Sequence, residues 1–523
     1  MTTILHIIAV VAWLLYAQKK LLRSVHMLQL NSYRNERFWK WYKGNIGKTV
    51  RIAEILPLIG LILVIAGSEV WGSLAWMASY FILFMTAPKE IEKKKLVYTA
   101  RVKRLLTATA VLAIVIGLSL LLQLELGYAL MFAATIVPFF VILISNTVML
   151  PVEHRISLYY LNDAKKKIHQ YRQLEVIGIT GSFGKTSVKH FLGTVLSQGF
   201  NVLITPESYN TPMGVTRTVR SMLTPTHEYF VSEMGAKQRG DIKEICDLVS
   251  PKYGIITAIG EQHLETFKTL DTIKKTKFEL AEALPADGIA FLNIDDENVA
   301  AQLKVANIKA RVATYGIHSA QLDYRASDIR YTRDGTFFKV TKKSTGEEQE
   351  FQTVLLGEHN VYNLLVSIAV GSELGVPLTK LATYVRKVRP VKHRLELKKN
   401  GPVTILDDSF NSNPVGSKAA LTVLSQMEGK KILITPGMIE LGDKEYELNF
   451  AFGTKAAEVC DYVLLVGQSQ TKPLQDAFVK AGYPESKYKV TKNLKEALQH
   501  MNQVTEPGCI VLLENDLPDN YNE

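Results

Sequence analysis

The segment Val176–Ser187 constrains the fold more than any other part of the chain. It reads Val-Ile-Gly-Ile-Thr-Gly-Ser-Phe-Gly-Lys-Thr-Ser: an apolar run typical of a β-strand, a loop with two glycines, and the start of a helix. Backbone N–H groups at such a helix N-terminus point toward anions, and glycines let the chain approach a phosphate closely. The segment therefore predicts a β–loop–α unit that binds a nucleoside triphosphate. The alternative is an ordinary glycine turn before a helix.

Individual side chains of this loop have predicted roles. Lys185 is expected to neutralise phosphate oxygens, and the Thr186 hydroxyl is expected to ligate Mg²⁺. The general motif has a glycine where this chain has Ile179, so the match is to a shorter form, Thr-Gly-x-x-Gly-Lys-Thr-Ser. The nucleotide-binding residues predicted from the loop are Gly181, Ser182, Gly184, Lys185, Thr186 and Ser187.

The first 150 residues differ in composition from the rest. They contain five apolar stretches: Ile4–Ala17, Ile52–Gly67, Val70–Ala87, Leu105–Leu122 and Tyr128–Leu150. A membrane span needs about 20 mainly apolar residues, so the last two stretches predict spans most clearly. The second and third stretches alternatively form one re-entrant hairpin, and a buried bundle of a soluble protein is the other alternative. A removed signal peptide is not expected, because the first stretch lacks a small-residue cleavage site.

Basic residues give the expected orientation of these spans. Gln18–Arg51 carries nine Lys/Arg and one Glu, and Pro88–Arg104 carries seven Lys/Arg and two Glu. The connections Ser68–Glu69 and Gln123–Gly127 carry no basic residue. The positive-inside rule therefore predicts a multi-pass protein of the cell membrane with its N-terminus outside and everything after residue 150 in the cytoplasm. The net charge of +11 reflects this topology and does not predict nucleic-acid binding.

After a polar helical link, short apolar runs alternate with amphipathic helical patterns, which is typical of a mainly parallel sheet. The candidate strands are Glu175–Thr180, Asn201–Thr205, Tyr229–Glu233, Tyr253–Ala258, Gly288–Asn293, Val403–Asp407, Lys431–Thr435, Tyr462–Val466 and Cys509–Leu513, with a polar, β-like patch over Ala310–Leu356. The predicted fold is α/β, with a transmembrane helical region at 1–150, a helical linker at 151–172, a central phosphate-loop domain at 173–388 and a Rossmann-like domain at 389–523. Two α/β lobes predict a ligand cleft between them.

Polar residues follow several of the predicted strands. Because ligands gather at the carboxyl ends of parallel strands, Glu233 is expected to face the same phosphates as Lys185 and to hold Mg²⁺. His263 follows another strand end, which indicates a second metal ligand rather than a structural histidine. Asn293 has the donor–acceptor pair that reads an adenine edge, although a plain turn explains it equally well. Spacing alone places Lys277 on a charged, solvated helix face.

The second lobe offers further candidates. Arg394 follows the interdomain connection and is expected to reach across to phosphate. Asp408 is expected to accept hydrogen bonds from ribose hydroxyls, and Asn411 or Asn413 is expected to fix the loop that follows the strand. The alternative is that the residues of this loop serve only to form a turn. Asn360 is predicted to cap a helix.

Together these segments resemble the Mur ligases, the ATP-dependent amide-forming enzymes of peptidoglycan precursor synthesis. Within that family the D-alanyl-D-alanine-adding type is the most similar. The segments that carry the resemblance are Thr180–Ser187, Glu233-Met-Gly, Gly260-Glu-Gln-His-Leu-Glu265, Lys277, Asn293-Ile-Asp-Asp, Gly357-x-His-Asn, His393-Arg394 and Asp407-Asp-Ser-Phe-Asn-Ser-Asn-Pro414.

The resemblance implies a reaction and a site. ATP phosphorylates a carboxylate, and an amine then attacks the acyl phosphate, leaving an amide, ADP and phosphate. The implied site residues are Lys185, His263 and Lys277 in catalysis, the last as a carbamylated lysine; Thr186, Glu233 and His263 on two Mg²⁺ ions; Asn293, Arg394 and Asp408 on ATP; and Asn210, Asn411 and Asn413 at the substrate.

The N-terminal region departs from the family pattern. Mur ligases usually carry an N-terminal domain that grips a uridine-diphosphate sugar, whereas membrane helices are predicted here. The expected partners are therefore a cell-wall precursor, with a lipid-linked form favoured, and an amino acid or dipeptide. Two alternatives stay open: a membrane-bound synthase of a polyglutamate-like peptide polymer, and an ATP-driven membrane transporter. The chain lacks the Leu-Ser-Gly-Gly-Gln segment of transporter ATPases.

Overall fold

The computed structural model describes residues 2–87, 95–118, 123–136, 138–262, 264–319, 321–332, 335–391, 393, 395–401, 403–409, 412–439 and 441–515. These residues form two compact units that divide after Leu158. We call the first the helical unit and the second the α/β unit. The domain boundaries proposed from the sequence at residues 150, 172 and 388 stay predictions.

The helical unit is built from helices alone within the residues described. They are α1 (Thr2–Leu30), α2 (Asn35–Gly44), α3 (Ile46–Thr49), a 3₁₀ turn (Ile52–Ile55), α4 (Pro57–Ile65), α5 (Glu69–Met85), α6 (Ala100–Leu118), α7 (Leu124–Ile136) and the first part of α8 (Pro138–Gln170). Helices α4 and α5 pack closely, since a Cβ added to Gly60 would lie 2.9 Å from the carbonyl oxygen of Gly72.

Apolar side chains of the helical unit are exposed, and several polar ones are buried. Exposed side chains of α1 are Ile4, Ile7, Ile8, Val11 and Leu15. Inside the unit, Trp13 Nε1 donates to Thr135 Oγ1 at 3.0 Å, and Lys20 forms a 2.5 Å ion pair with the fully buried Glu54. A helix of a soluble protein turns its apolar stripe to the core, whereas ionisable residues of membrane helices face the bundle interior. The helical unit thus exposes apolar side chains of α1 and buries an ion pair.

Two helices of the described residues are long and apolar enough to cross a membrane, Ile4–Leu30 and Pro138–Gln170. Three shorter apolar helices cover Ile52–Ile65, Glu69–Met85 and Glu125–Ile136. The stretch predicted at Leu105–Leu122 forms most of α6, and its last four residues lie outside the described part of the chain. The number of spans therefore stays a prediction.

The α/β unit begins with a mixed sheet. Its elements are β1 (Glu175–Thr180), α9 (Lys185–Leu196), β2 (Val202–Ile204), α10 (Pro212–Met222), β3 (Tyr229–Glu233), α11 (Asp241–Val249), β4 (Tyr253–Ile256), α12 (Leu264–Phe267), α13 (Leu270–Glu282), β5 (Ile289–Asn293), α14 (Glu297–Leu303), β6 (Arg311–Gly316), β7 (Tyr324–Thr332), β8 (Gly335–Lys342), β9 (Glu347–Thr353), α15 (Glu358–Glu373) and α16 (Leu378–Val385). The strand order is β2-β3-β1-β4-β5-β6-β7-β8-β9. Pairing is parallel from β2 to β7 and antiparallel from β7 to β9.

Strand β1 lies between β3 and β4 and is apolar on both sides. Ile177 and Ile179 pack with α9, α15 and α16 on one face of the sheet, whereas Val176 packs with α10, α11 and α13 on the other. A strand buried on both faces reads as a continuous apolar run, which explains the sequence before the glycine loop. Because β1, β3, β4 and β5 are parallel neighbours, the loops that follow them meet at one edge of the sheet.

A second sheet forms the rest of the α/β unit. Its elements are β10 (Glu396–Asn400), β11 (Val403–Asp408), α17 (Pro414–Ser425), β12 (Lys431–Thr435), a 3₁₀ turn (Gly442–Lys444), α18 (Glu445–Val459), β13 (Tyr462–Val466), α19 (Lys472–Ala481), a 3₁₀ turn (Glu485–Lys487), β14 (Tyr488–Thr491), α20 (Leu494–Val504) and β15 (Ile510–Glu514). The strand order is β10-β11-β15-β12-β13-β14, and only β10 pairs antiparallel among the described strands of this sheet. Strands alternate with helices along the chain in both parts of the α/β unit, which confirms the predicted α/β fold.

The predicted helix cap at Asn360 is wrong. Helix α15 begins at Glu358, and its N-cap is Gly357, whose φ is +87°. Glycine adopts this conformation without steric cost, so the helix starts earlier than predicted. Asn360 lies inside α15, where its Nδ2 donates to the carbonyl oxygen of Leu356 at 2.8 Å.

Candidate active site

The loop between β1 and α9 depends on its two glycines. Gly181 has a φ of +149°, and a Cβ there would lie 2.0 Å from Thr257 Oγ1. Gly184 has a φ of +80° and is the N-cap of α9. Both positions therefore need glycine, one for the close approach of the neighbouring strand end and both for the backbone conformation.

Hydrogen bonds tie this loop to the segment that follows β4. The Ser182 amide donates to the carbonyl oxygen of Ala258 at 2.6 Å, and Ser182 Oγ both donates to the Gly260 carbonyl oxygen and accepts from the Gly260 amide, at 3.0 and 3.1 Å. Thr257 Oγ1 donates to the carbonyl oxygen of Phe183. The segment that follows β4 thus holds the loop in place, while the first N–H groups of α9 have no partner within the helix. Fixed, outward-pointing amides suit an anion.

Lys185 lies over the same loop. Its Nζ donates to the carbonyl oxygens of Gly181 at 2.7 Å and Ser182 at 3.1 Å. Its side chain is partly buried, as are the side chains of Thr186 and Ser187 in the first turn of α9. The ammonium group therefore lies at the α9 N-terminus, where the sequence predicted the phosphates.

Glu233, at the end of β3, is brought to Thr186 and Asn210. Thr186 Oγ1 donates to Glu233 Oε1 at 3.2 Å, and Asn210 Nδ2 donates to the same oxygen at 3.1 Å. The Glu233 amide donates to Thr205 Oγ1 at 3.1 Å. The parallel pairing of β1 with β3 places Glu233 opposite Ile179, so the end of β3 lies beside the loop that follows β1. Thr186 and Glu233 therefore meet although they are far apart in the sequence.

The charge of Glu233 is set by two lysines. Burial raises the pKa of its carboxyl, but Lys189, Lys185 and the Asn210 amide outweigh burial and hold that pKa below its usual value. Only 1 % of the Glu233 side chain is exposed, and Oε2 lies 3.0 Å from Nζ of the fully buried Lys189. The carboxyl group is therefore ionised at neutral pH, as a ligand of a hard cation must be.

Lys277 is buried, so the solvated helix face predicted from spacing is wrong. Its side chain is 2 % exposed and lies on the inner face of α13 with Ile273 and Leu280. Burial, and then the charge of Lys185, lower the pKa of the Lys277 ammonium group. Among the described residues no carboxylate forms an ion pair with it. Because the residues around Lys277 in the sequence are charged, spacing alone did not reveal that Lys277 lies on the inward-facing side of the helix.

Three other predicted site residues have hydrogen-bond partners within the α/β unit. Asn293 Oδ1 accepts from the Asp295 amide at 3.2 Å, and Asp408 Oδ1 accepts from the Leu395 amide at 3.1 Å. Asn413 is the N-cap of α17, where its Oδ1 accepts from the Gly416 amide at 2.8 Å. Their nucleotide and substrate roles stay predictions.

Three predicted residues, His263, Arg394 and Asn411, lie outside the described residues. In the part of the chain that the structure covers, no group of three or more His, Cys, Asp or Glu side chains could hold a metal ion. The hydroxyl of Thr186 and the carboxylate of Glu233 lie together beside the phosphate loop. A carboxylate and a hydroxyl beside a phosphate loop fit Mg²⁺, which is bound by few protein ligands together with substrate phosphates.

Sequence reasoning missed two residues around this site. Lys189 follows Lys185 by four positions, which places both on one face of α9 and could have indicated it. Lys444 pairs with Glu261, which joins the second sheet's 3₁₀ turn to the segment after β4. No local pattern in the sequence predicts that long-range contact.

Family comparison identifies the fold. Residues 179–371 match the Mur ligase middle domain, and residues 393–514 match the domain described as Mur ligase, glutamate ligase domain. Together they cover more than half of the chain. The chain belongs to the Mur ligase family. The resemblance predicted from the motifs is confirmed.

Individual Mur ligases show how far the likeness extends. The chain is 33% identical over 306 residues to UDP-N-acetylmuramoyl-tripeptide–D-alanyl-D-alanine ligase of Escherichia coli, covering 58% of this chain and 66% of that protein. The corresponding Bacillus subtilis ligase is 32% identical over 292 residues, covering 55% and 62%. The crystal structure of MurF from Acinetobacter baumannii matches with a TM-score of 0.62 at 27% identity, covering 70% and 78%. The chain thus spans slightly less than two thirds of either curated relative.

Proposed function

We propose that this Mur ligase is an ATP- and Mg²⁺-dependent, ADP-forming enzyme that joins a carboxylate to an amine in peptidoglycan precursor synthesis. The observation that carries the proposal is the meeting of Thr186 and Glu233, 3.2 Å apart, beside the glycine loop. The names of the relatives suggest the substrates, a nucleotide-linked muramoyl tripeptide and D-alanyl-D-alanine.

We assign the site residues different roles in the first step. The α9 amides and Lys185 hold the phosphates of ATP, so that a carboxylate oxygen of the acceptor attacks the terminal phosphorus and ADP leaves. Thr186 and Glu233 would hold Mg²⁺, which would supply positive charge to neutralise the phosphate oxygens. Asn293, Arg394 and Asp408 bind the adenine, a phosphate and the ribose of ATP.

The second step forms the amide. The amine nitrogen attacks the carbonyl carbon of the acyl phosphate, the C–O bond to phosphate breaks, and the nitrogen loses a proton. We assign Asn210, Asn411 and Asn413 to the organisation of the substrates. Exclusion of water protects the acyl phosphate, because water would otherwise hydrolyse it.

Lys277 is proposed to carry a carbamate that supports a second Mg²⁺ together with His263. Its amine is a suitable acceptor of carbon dioxide, because burial and the charge of Lys185 favour the neutral form. A carbamate would give the Lys277 side chain one negative charge. Among the described residues, no carboxylate forms an ion pair with Lys277.

We further propose that the helical unit lies in the cell membrane as a multi-pass region, with the α/β unit in the cytoplasm. Exposed apolar side chains on α1, a buried ion pair inside the unit and two helices of sufficient length support this. Because a membrane-embedded unit would bring the enzyme to the lipid bilayer, a lipid-linked acceptor is the finer proposal.

Membrane embedding has a direct test. The protein, expressed with its own N-terminus, is expected to stay in the membrane pellet after washing with alkaline carbonate and with high salt, and to be released by detergent. Release by carbonate or salt would show a peripheral protein and contradict the proposal. The control is residues 159–515 expressed alone and treated identically.

The activity is tested with detergent-solubilised full-length protein, ATP and Mg²⁺. Phosphate release is expected only when both a carboxylate acceptor and an amine are present, with an amide product found by mass spectrometry. Parallel reactions with nucleotide-linked and lipid-linked muramoyl peptides distinguish the two acceptors. Repeated glutamate addition would indicate the polymer synthase. Phosphate release without any amide, coupled to solute movement in vesicles, would indicate a transporter.

A further inference from the structure

Lys189 is a fully buried lysine with a single carboxylate partner in the described structure. Its side chain is 0 % exposed, and its Nζ lies 3.0 Å from Oε2 of Glu233, whose side chain is 1 % exposed. Burying two charges costs more solvation than their attraction generally returns, so a buried pair is poor evidence for a stabilising role. A role in the geometry of the site explains the pair better.

The two oxygens of Glu233 have different partners. Oε2 faces the ammonium group of Lys189, whereas Oε1 accepts hydrogen bonds from Thr186 Oγ1 and Asn210 Nδ2. Rotation of the carboxylate would break contacts on both sides. Lys189 therefore fixes the orientation of the carboxylate group relative to Thr186.

Lys189 also contacts the loop that carries Asn210. Its Nζ donates to the carbonyl oxygen of Glu207, a residue in the left-handed region with a φ of +42°. One ammonium group thus connects α9, the end of β3 and the loop after β2. These are the three segments that surround Oε1.

We propose that Lys189 is a positioning residue for the divalent metal site: its ammonium holds Oε2 of Glu233 and the Glu207 carbonyl, so that Oε1 faces Thr186 ready to ligate the cation. The inference rests on the proposed function, which places Mg²⁺ between Thr186 and Glu233. Residues behind a metal ligand commonly set its orientation, and their loss lowers metal affinity. Lys189 itself touches no reacting atom.

The test measures binding of Mn²⁺, a paramagnetic substitute for Mg²⁺, by full-length detergent-solubilised protein with a non-hydrolysable ATP analogue. Electron paramagnetic resonance gives the free Mn²⁺ concentration directly, independently of turnover. Lys189→Met is expected to raise the Mn²⁺ dissociation constant about tenfold or more. The matched control is Lys167→Met, because Lys167 Nζ donates to the carbonyl oxygens of Val219 and Arg220 at 3.1 Å and contacts no carboxylate there. The control is expected to bind Mn²⁺ like the wild type.

A double-mutant cycle distinguishes positioning from general stabilisation. In a Glu233→Gln background, Lys189→Met leaves no unpaired buried charge and is expected to change Mn²⁺ affinity no further. Equal weakening with Glu and with Gln at position 233 would overturn the inference, and so would a folded Lys189→Met protein with wild-type affinity. Circular dichroism and thermal melting establish folding.

Lys189→Arg keeps the test decisive if Lys189→Met does not fold. The longer, forked guanidinium engages both carboxylate oxygens and turns Oε1 away from Thr186, so weaker Mn²⁺ binding is expected although the charge is retained. Wild-type affinity in this variant would overturn the inference. Failure of the wild type to bind Mn²⁺ with nucleotide would instead remove the proposed metal site itself.

Discussion

Lys185→Ala is expected to reduce ATP-dependent amide formation by about a hundredfold to a thousandfold, the range found when one preorganised donor to a developing charge is removed. Its ammonium group lies over the loop at the N-terminus of α9, bonded to the carbonyl oxygens of Gly181 and Ser182. No other lysine among the described residues lies over that loop in this way. Phosphate release and amide product are measured in parallel with nucleotide affinity.

The control for Lys185→Ala is Lys275→Ala, since Lys275 is exposed and pairs with Asp271 on the same helix. Both variants are expected to fold and to reach the membrane like the wild type. A Lys185→Ala protein that folds and keeps more than about a tenth of the wild-type rate would refute the phosphate role, because a loss that small is below the range for such donors.

Lys277→Ala is expected to lose most activity and to regain part of it when formate or acetate is added. The small carboxylate would occupy the space of the missing carbamate and restore its negative charge near the second metal ion. Loss of a group that supports a metal commonly lowers activity about tenfold to a hundredfold. Activity equal to wild type without any added acid would exclude the carbamate.

The carbamate also predicts a pH dependence. The pKa of Lys277 is lowered by burial and by Lys185, so its amine stays neutral, and able to hold carbon dioxide, at lower pH than an ordinary lysine. Activity is therefore expected to fall only when the pH drops below this lowered pKa, where the amine is protonated. Nuclear magnetic resonance of protein equilibrated with isotope-labelled bicarbonate detects the adduct, and Lys277→Ala should lack that signal.

The central strands of both sheets and the edge strand β2 could be predicted from the sequence, whereas the two edge strands of the second sheet could not. β1, β3, β12 and β13 have the predicted bounds because each is a continuous apolar run buried on both faces. β10 reads Glu-Leu-Lys-Lys-Asn and β14 reads Tyr-Lys-Val-Thr. These edge strands are largely polar, so only pairing with a neighbour reveals them.

The candidate active site was also predictable only in part, because some of its contacts depend on residues distant in the sequence. The loop residues and Glu233 were found because motif and strand end coincide in the sequence. The burial of Lys277 depends on which face of α13 packs against the sheet, and the partnership of Lys189 depends on a strand pairing distant in sequence. Neither follows from local spacing.

The position of β15 has a consequence for biosynthesis. It is the last of the described strands along the chain, yet it pairs with both β11 and β12 near the middle of its sheet. Until Ile510–Glu514 have been synthesised, β11 and β12 have no strand between them. A product that ends before Ile510 therefore cannot complete this sheet.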